Sequence, residues 1–404
     1  MGLSSINAEG TVDLRYDDQI LAGALDAVER RRWLFSSLPL DPVHREWLRR
    51  RAWIRTVHGS TRIEGNTLSD LEVDRLLEGV GSKALPRKDS LEVLGTRSAL
   101  ELVDELAPRP DVELDQALVR EVHRRVLHDQ SDLLSPGEYR RGENRVAGPD
   151  GQLIFTTPPS GDVPELMRDY VAWLERRGRL PAPILAALAH LEFVAIHPFN
   201  DGNGRTARAI SRFFLVRGGY ALDGLVSLDA HLDVHRSEYF AAIRASIGPG
   251  YRPGYDATPF VLFILDAITS AADHVLTRLR GLGQIQIAVR RDVVEGRLPP
   301  PMLDALVYAF INRSLRAGEY RRLTGRTAPT TTRDLAAAGR LGYLIAEGTT
   351  RDRWYRLGPR LLEAPAPGEP TDPREDLPRA RPDRGGVTDE VGRGTTAPHE
   401  GGPR

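Results

Sequence analysis

The chain has no cysteine in its 404 residues, which excludes disulfides, thiolate metal sites and a cysteine nucleophile. Lysine is almost missing as well: apart from Lys83 and Lys88 the basic residues are arginine, the bias of high-GC bacterial coding. A formal net charge of −1 leaves no global attraction for nucleic acid or an anionic membrane surface. The first residues lack the basic and apolar pattern of a signal sequence, and no apolar run reads as long enough to cross a bilayer. The expectation is a cytoplasmic protein with no membrane partner. Aromatics stop at Tyr355, and from Leu362 onward Pro, Gly, Arg, Asp and Glu dominate. Such a segment buries too little apolar surface to offset its ordering entropy, so 362–404 is expected to be a disordered tail.

What is present is a mostly α chain. Apolar residues make up 41% and charged residues 27%, enough for a sizeable core, and the length allows two or three domains. Apolar spacing from about residue 15 to 280 predicts successive helices. Ile184 to Ile196 has only His190 and Glu192 as polar residues, with Pro181 and Pro183 ahead of it, so it is expected in the middle of a bundle. A second helical run, Arg205 to Arg217, ends at Gly218-Gly219. Between the two lies His197-Pro-Phe-Asn-Asp-Gly-Asn-Gly-Arg-Thr-Ala-Arg208, where Pro198 stops one helix and Gly202-Asn203-Gly204 shapes the loop.

These twelve residues gather the parts of a polyphosphate site. Gly202 and Gly204 permit backbone conformations that let successive N–H groups converge on one anion. The helix beginning near Arg205 adds its positive end. Arg205 and Arg208 stand three apart on its first turn, so both are expected to face the anion. Asp201 offers a hard oxygen ligand of the kind Mg²⁺ uses beside phosphate oxygens. His197 can accept a proton near neutral pH. The string is not a Walker loop. Taken singly, each element has a bland meaning: a helix-end histidine, a tight turn, a solvated arginine face.

The stretch resembles the signature of the Fic (filamentation induced by cAMP) family, His-Pro-Phe-x-Asp/Glu-Gly-Asn-Gly-Arg-x-x-Arg, at every fixed position. The likeness spreads over roughly 50 to 270, including Gly137-Glu-Tyr-Arg-Arg, Phe155-Thr-Thr-Pro-Pro159, Arg236-Ser-Glu-Tyr-Phe240 and Pro259-Phe-Val-Leu-Phe263. It implies a helical bundle with a small β-hairpin flap, and AMP transfer from ATP to a Ser, Thr or Tyr hydroxyl of a target protein, with release of pyrophosphate. His197 would be the base. Asp201 would hold Mg²⁺, and Gly202, Asn203 and Gly204 would cradle the phosphates. Arg205 and Arg208 would contact the β- and γ-phosphate sides. The flap, about Val146 to Thr157, would align the target by strand addition. Tyr239, with Phe240, would flank the adenine, although Ile247 stands where relatives that transfer AMP often carry asparagine.

One class of the family also carries Ser/Thr-x-x-x-Glu-Gly/Asn ahead of its core. Here that pattern is matched by Ser60 to Gly65, so the resemblance implies an inhibitory helix at about 55–66 with Glu64 paired to Arg208. An exposed ion pair contributes about 0–1 kcal/mol, too little for tenfold suppression. A shielded pair suffices, since tenfold needs only about 1.4 kcal/mol.

Residues 303 to 361 resemble the winged-helix segment appended to many such proteins, with Leu303 to Leu315 helical, Glu319 to Leu323 a short helix, Thr330 to Ala338 as the recognition helix and Tyr343 to Leu357 as the wing. From Glu319 to Leu361 the local charge is +5, and docking or dimer formation is as much expected as DNA contact. The expected divisions are 1–110 (N-terminal helices), 111–280 (core), 281–361 (linker helix and winged helix) and the tail. His231 and His235, four apart, lack an evident third metal ligand, and His58 and His123 read as packing residues. Removal of AMP, use of another donor nucleotide and a nucleotide-sensing DNA-binding regulator stay open, as does a homodimer.

Overall fold

In the computed structural model, residues 4–5, 14–79, 85–127, 135–147, 153–349 and 353–362 are described. The tip of the expected flap and nearly all of the expected tail lie outside them. The chain starts with two short strands, β1 (Ser4–Ser5) and β2 (Leu14–Tyr16). Helix α1 (Asp18–Ser36) follows, begun by the Asp17 carboxylate accepting from the N–H groups of Gln19 and Ile20. Helix α2 (Pro42–Ile63) has Asp41 as its cap and proline in its first turn, where the missing N–H costs nothing. It stops at Glu64, because Gly65 turns away with φ 94°. A reciprocal cap between Ser69 and Glu72 starts α3 (Asp70–Leu77). Then come α4 (Arg87–Leu106), α5 (Gln116–Val126), the hairpin β3 (Arg145–Ala147) and β4 (Leu153–Thr156), and α6 (Val163–Arg176).

At the centre lie α7 (Ala182–Ile196) and α8 (Asn203–Arg217). Every α7 residue from Pro183 to Ile196 is buried except Val194, as an all-round apolar helix requires. The bundle is completed by α9 (Leu228–Val234), α10 (Arg236–Ile247), a strand β5 (Tyr255–Asp256) and the 37-residue α11 (Thr258–Val294). The C-terminal part runs α12 (Met302–Asn312), β6 (Leu315–Arg316), α13 (Ala317–Thr324), α14 (Ala328–Arg340), β7 (Leu344–Glu347), β8 (Trp354–Leu357) and α15 (Pro359–Leu362). Its antiparallel sheet has the order β6-β8-β7.

The fold is mostly helical, with fifteen α-helices and three small sheets among the described residues. The structure adds detail to several sequence expectations. The stretch after residue 15 opens with a strand: β2 pairs antiparallel with β1 and parallel with β5, a contact across some 240 residues that local spacing cannot reveal. The run expected as one helix from Leu303 to Leu315 ends at Asn312, with Arg313 in the left-handed region at φ 62°, and Leu315 starts a strand. The expected division at 280/281 falls inside α11, whose first half fills the main core and whose Ile285 and Val289 belong to the second. Nor does the main core divide at 110/111, since one apolar cluster runs from Leu14 to Ile311. Finally, α11 is long and apolar enough by composition to cross a membrane, with a mean hydropathy of 1.5 over eighteen residues. The sequence reading of no such run is therefore corrected. The same helix packs along α1, α7 and α10, and Phe260, Val261, Ile264, Leu265 and Ile268 are buried in the main core.

Candidate active site

The α7–α8 turn is built from buried backbone contacts. His197 caps α7 in the left-handed conformation, φ 52° and ψ 60°, which costs a non-glycine residue roughly 1–3 kcal/mol and persists only when its surroundings hold it. Arg140 does the holding. Almost fully buried, it donates Nε–H to the His197 carbonyl at 2.9 Å and Nη2 to Pro158 O at 2.5 Å, while its backbone N–H reaches Pro198 O at 2.9 Å. Phe199 lies flat on the His123 ring, 3.6 Å between centroids. His123 Nδ1 accepts from the Gly137 N–H at 2.9 Å, so its Nε2–H is the donor to the Asp201 carbonyl at 2.9 Å. Burial drives the His123 pKa down to about 4, which keeps the ring neutral.

The loop itself differs in detail from the sequence expectation. The Asn203 amide is spent on Phe199, accepting from its N–H at 3.0 Å and donating to its carbonyl at 2.9 Å, so it shapes the turn instead of reaching outward. Asp201 Oδ1 takes the Gly202 N–H at 2.5 Å and lies 3.4 Å from Arg205 Nη2. Gly202 sits at φ 74°, which favours glycine. Arg205 is buried, with Nη2 near Asp201, while its Nε and Nη1, like Nη1 of Arg208, are buried without a hydrogen-bond partner among the described residues. Tyr239 is 1% exposed, and its hydroxyl donates to His190 Nε2 at 2.7 Å. Ser211 gives its proton to Ala186 O, which makes His190 Nδ1 a donor to Ser211 and leaves Nε2 to accept from the tyrosine. Tyr239 is thus core, and its half-buried neighbour Phe240 is the accessible aromatic.

Glu64 and Ser60 come together with Arg208, the contact that the family resemblance implies. Arg208 Nη2 donates to Glu64 Oε1 at 2.8 Å and to the Ser60 carbonyl at 2.7 Å, and Nε donates to Ser60 Oγ at 2.9 Å. Burial alone would lower the Arg208 pKa; Glu64, Tyr239 and Asp229 overcome it and raise it. The Glu64 carboxylate also covers Gly204 in the first turn of α8, where any Cβ would collide with Oε1. An anion supplied by the chain itself therefore sits at the positive start of α8, beside a buried arginine.

Among the described residues no group of three or more His, Cys, Asp or Glu side chains is arranged to hold a metal. His231 and His235 have ring centroids 4.4 Å apart but do not change that. A single, partly exposed carboxylate such as Asp201 fits Mg²⁺ all the same, since that ion takes one or two carboxylates, waters and substrate phosphates. Beside the hairpin, a groove of about 540 Å³ is lined by Ile154, Thr156, Pro158, Pro249, Tyr251 and Arg252. Thr156 is bonded to both Pro249 and Tyr251 at 3.0 Å, which ties the hairpin base to the loop after α10. Arg140 and Asp229 are site-shaping residues to which the sequence reading gave no role. Arg140 stands in the Gly137-Glu-Tyr-Arg-Arg stretch that resembles the family, but its contact with His197 spans 57 positions, and Asp229 stands in no recognisable spacing.

The site stands in a helical domain, and residues 113–215 match the model of the Fic/DOC family. The chain carries a Fic/DOC domain over that segment. It is 30% identical to the protein adenylyltransferase Fic of Aedes aegypti over 256 residues, covering 62% of this chain and 47% of that protein. With the Drosophila melanogaster protein of the same name it shares 32% over 243 residues, covering 58% and 44%. The chain thus spans about half the length of these curated relatives. Among solved structures, Fic-1 from C. elegans aligns with a TM-score of 0.54 at 26% identity, covering 65% of this chain and 74% of that one. A Fic family protein from Desulfovibrio desulfuricans aligns with 0.54 at 24% identity over 84% and 96%, which bears on the fold alone.

Proposed function

We propose that the protein transfers AMP from ATP to a hydroxyl of a target protein and of itself, and that Glu64 restrains this activity. The observation that carries the reading is the Glu64 carboxylate held at 2.8 Å by Arg208, over Gly204, where a terminal phosphate would otherwise lie. His197 removes the proton from the attacking hydroxyl, worth about 10²–10⁴ in rate for a positioned base. The backbone N–H groups of 202–204 and the start of α8 draw the phosphates in, and Arg208 neutralises charge once Glu64 yields it. Mg²⁺, held through Asp201, would supply further charge neutralisation between the α- and β-phosphates. The target segment lies along the hairpin and is recognised through main-chain bonds. A cytoplasmic location and a homodimer belong to the same proposal.

The test uses ATP labelled at the α-phosphate. Glu64→Gly protein should label itself more strongly than wild type, and His197→Ala in that background should remove the label. Equal labelling by wild type and Glu64→Gly would defeat the brake. Other labelled nucleotides, and AMP-carrying targets offered to both proteins, separate a different donor or AMP removal from AMP transfer.

As a second reading we propose that the C-terminal part, with the order α12-β6-α13-α14-β7-β8, is a winged helix. Its favouring observation is an uncovered face of α14: Thr332, Arg333, Ala336, Gly339 and Arg340 are all exposed. Nearby acids are engaged, Asp334 by Tyr320 and Glu347 by Arg356. Contact with duplex DNA suits this arrangement better than docking onto the main core, which uses α12 instead. Full-length protein should then bind a DNA duplex with an affinity that falls with salt, and Arg333→Glu should weaken it; no binding at low salt removes the idea.

A further inference from the structure

Arg208 faces two carboxylates, and they are held very differently. Glu64 lies at the end of α2 with 29% of its side chain exposed, while Asp229, in the first turn of α9, is 9% exposed. Asp229 Oδ1 lies 3.5 Å from Arg208 Nε, whereas the guanidinium atom nearest the Gly204 cradle is Nη1. The same Nε donates to Ser60 Oγ at 2.9 Å. Gly59 makes this possible. A Cβ there would meet the backbone of Asp229 and Ala230 at 2.7 Å, so glycine lets α2 and α9 touch main chain to main chain. A cavity of about 50 Å³ borders the pair, with His190, Ser211 and Arg212 in its wall.

We infer that Asp229 is the standing counter-ion of Arg208, which allows Glu64 to be the exchangeable one. Removing one partner of a buried ion pair normally strands the other charge and is strongly destabilising. Here the partly exposed carboxylate can leave, or give way to a polyphosphate, while the buried one keeps the cation compensated and in place. Burial raises the Asp229 carboxyl, and the Arg208 charge counters part of that rise. The exchange half of this idea rests on the function proposed above; the counter-ion half does not.

The test is a thermal cycle on the full chain without nucleotide. Asp229→Asn should lower the unfolding midpoint about twice as far, or more, in a Glu64→Gly background as in wild type, because only there does Arg208 lose both charges. Asp104→Asn, which breaks the bidentate Arg212 pair on the same helix, should cost the same in both backgrounds. Saturating adenosine 5′-(β,γ-imido)triphosphate with Mg²⁺ should raise the midpoint more in the double variant than in Glu64→Gly alone. If the double variant does not fold, Arg208→Met provides the check: with the cation gone, Asp229→Asn should raise the midpoint. Equal losses in both backgrounds, or a further loss on Arg208→Met, overturn the counter-ion role. A working cycle with no response to the nucleotide analogue would leave that role standing and defeat the exchange.

Discussion

The loop 197–204 and the end of α2 meet at Arg208, yet they are held by opposite means. Three residues outside or within the loop (Arg140, His123 and Asn203) fix its backbone through buried hydrogen bonds to His197, Asp201 and Phe199. The α2 end places Glu64 after the last helical residue, before a left-handed glycine, with its carboxylate on the arginine and part of it in solvent. The loop geometry is over-determined, and the carboxylate proposed to obstruct it is attached by little more than one pair. A restraint that must be released is better placed on a helix end than in the core, because a partly exposed pair is screened and weak enough to yield.

This contrast can be broken from either side. The largest effect is expected from His197→Ala, which should cut self-labelling by about 10²–10⁴ while thermal stability and nucleotide binding stay near those of the parent. Arg140→Ala should come next. It frees the His197 and Pro158 carbonyls and loosens the left-handed cap, so labelling should fall by about 10² and the unfolding midpoint should drop with it. Labelling that survives Arg140→Ala would mean that the loop holds its own shape. Glu64→Gly should act oppositely, raising labelling by about tenfold or more with little change in midpoint. The smallest effect is a pH slope. Burial lowers the pKa of His123 to about 4 and that of His190 to about 3, below the unfolded value near 6.5. The unfolded chain then binds more protons, so this stability is complete above about pH 6.5 and is lost as pH falls toward 4. Midpoints measured from pH 7.5 to 5 should decline, and His123→Gln should flatten the decline.

The catalytic turn was legible because its chemistry is contiguous: helix, stop, glycines, helix, with the acid and base between them. Glu64 was legible through a four-residue spacing and a family likeness. What braces the turn was not. Arg140 meets His197 across 57 positions, and Arg208 meets Ser60 across 148, so no local pattern carries these contacts. An aromatic pair after α9 can place either ring outward, and the His190–Ser211 chain, settled only by packing, draws Tyr239 in. The Asn203 amide is likewise taken by the Phe199 backbone, while Arg205 has a contact to Asp201 and two buried nitrogens without a hydrogen-bond partner among the described residues.

Helix α11 is about 56 Å long at 1.5 Å per residue over its 37 residues, and it belongs to both apolar cores. Its first turns lie against α7, the helix that ends at His197, and its far turns support the wall on which Tyr343 and Asp292 are bonded. It acts as a beam without a joint: a load applied at the C-terminal end reaches the bundle undivided, and α7 shares a bearing surface with whatever grips the other end.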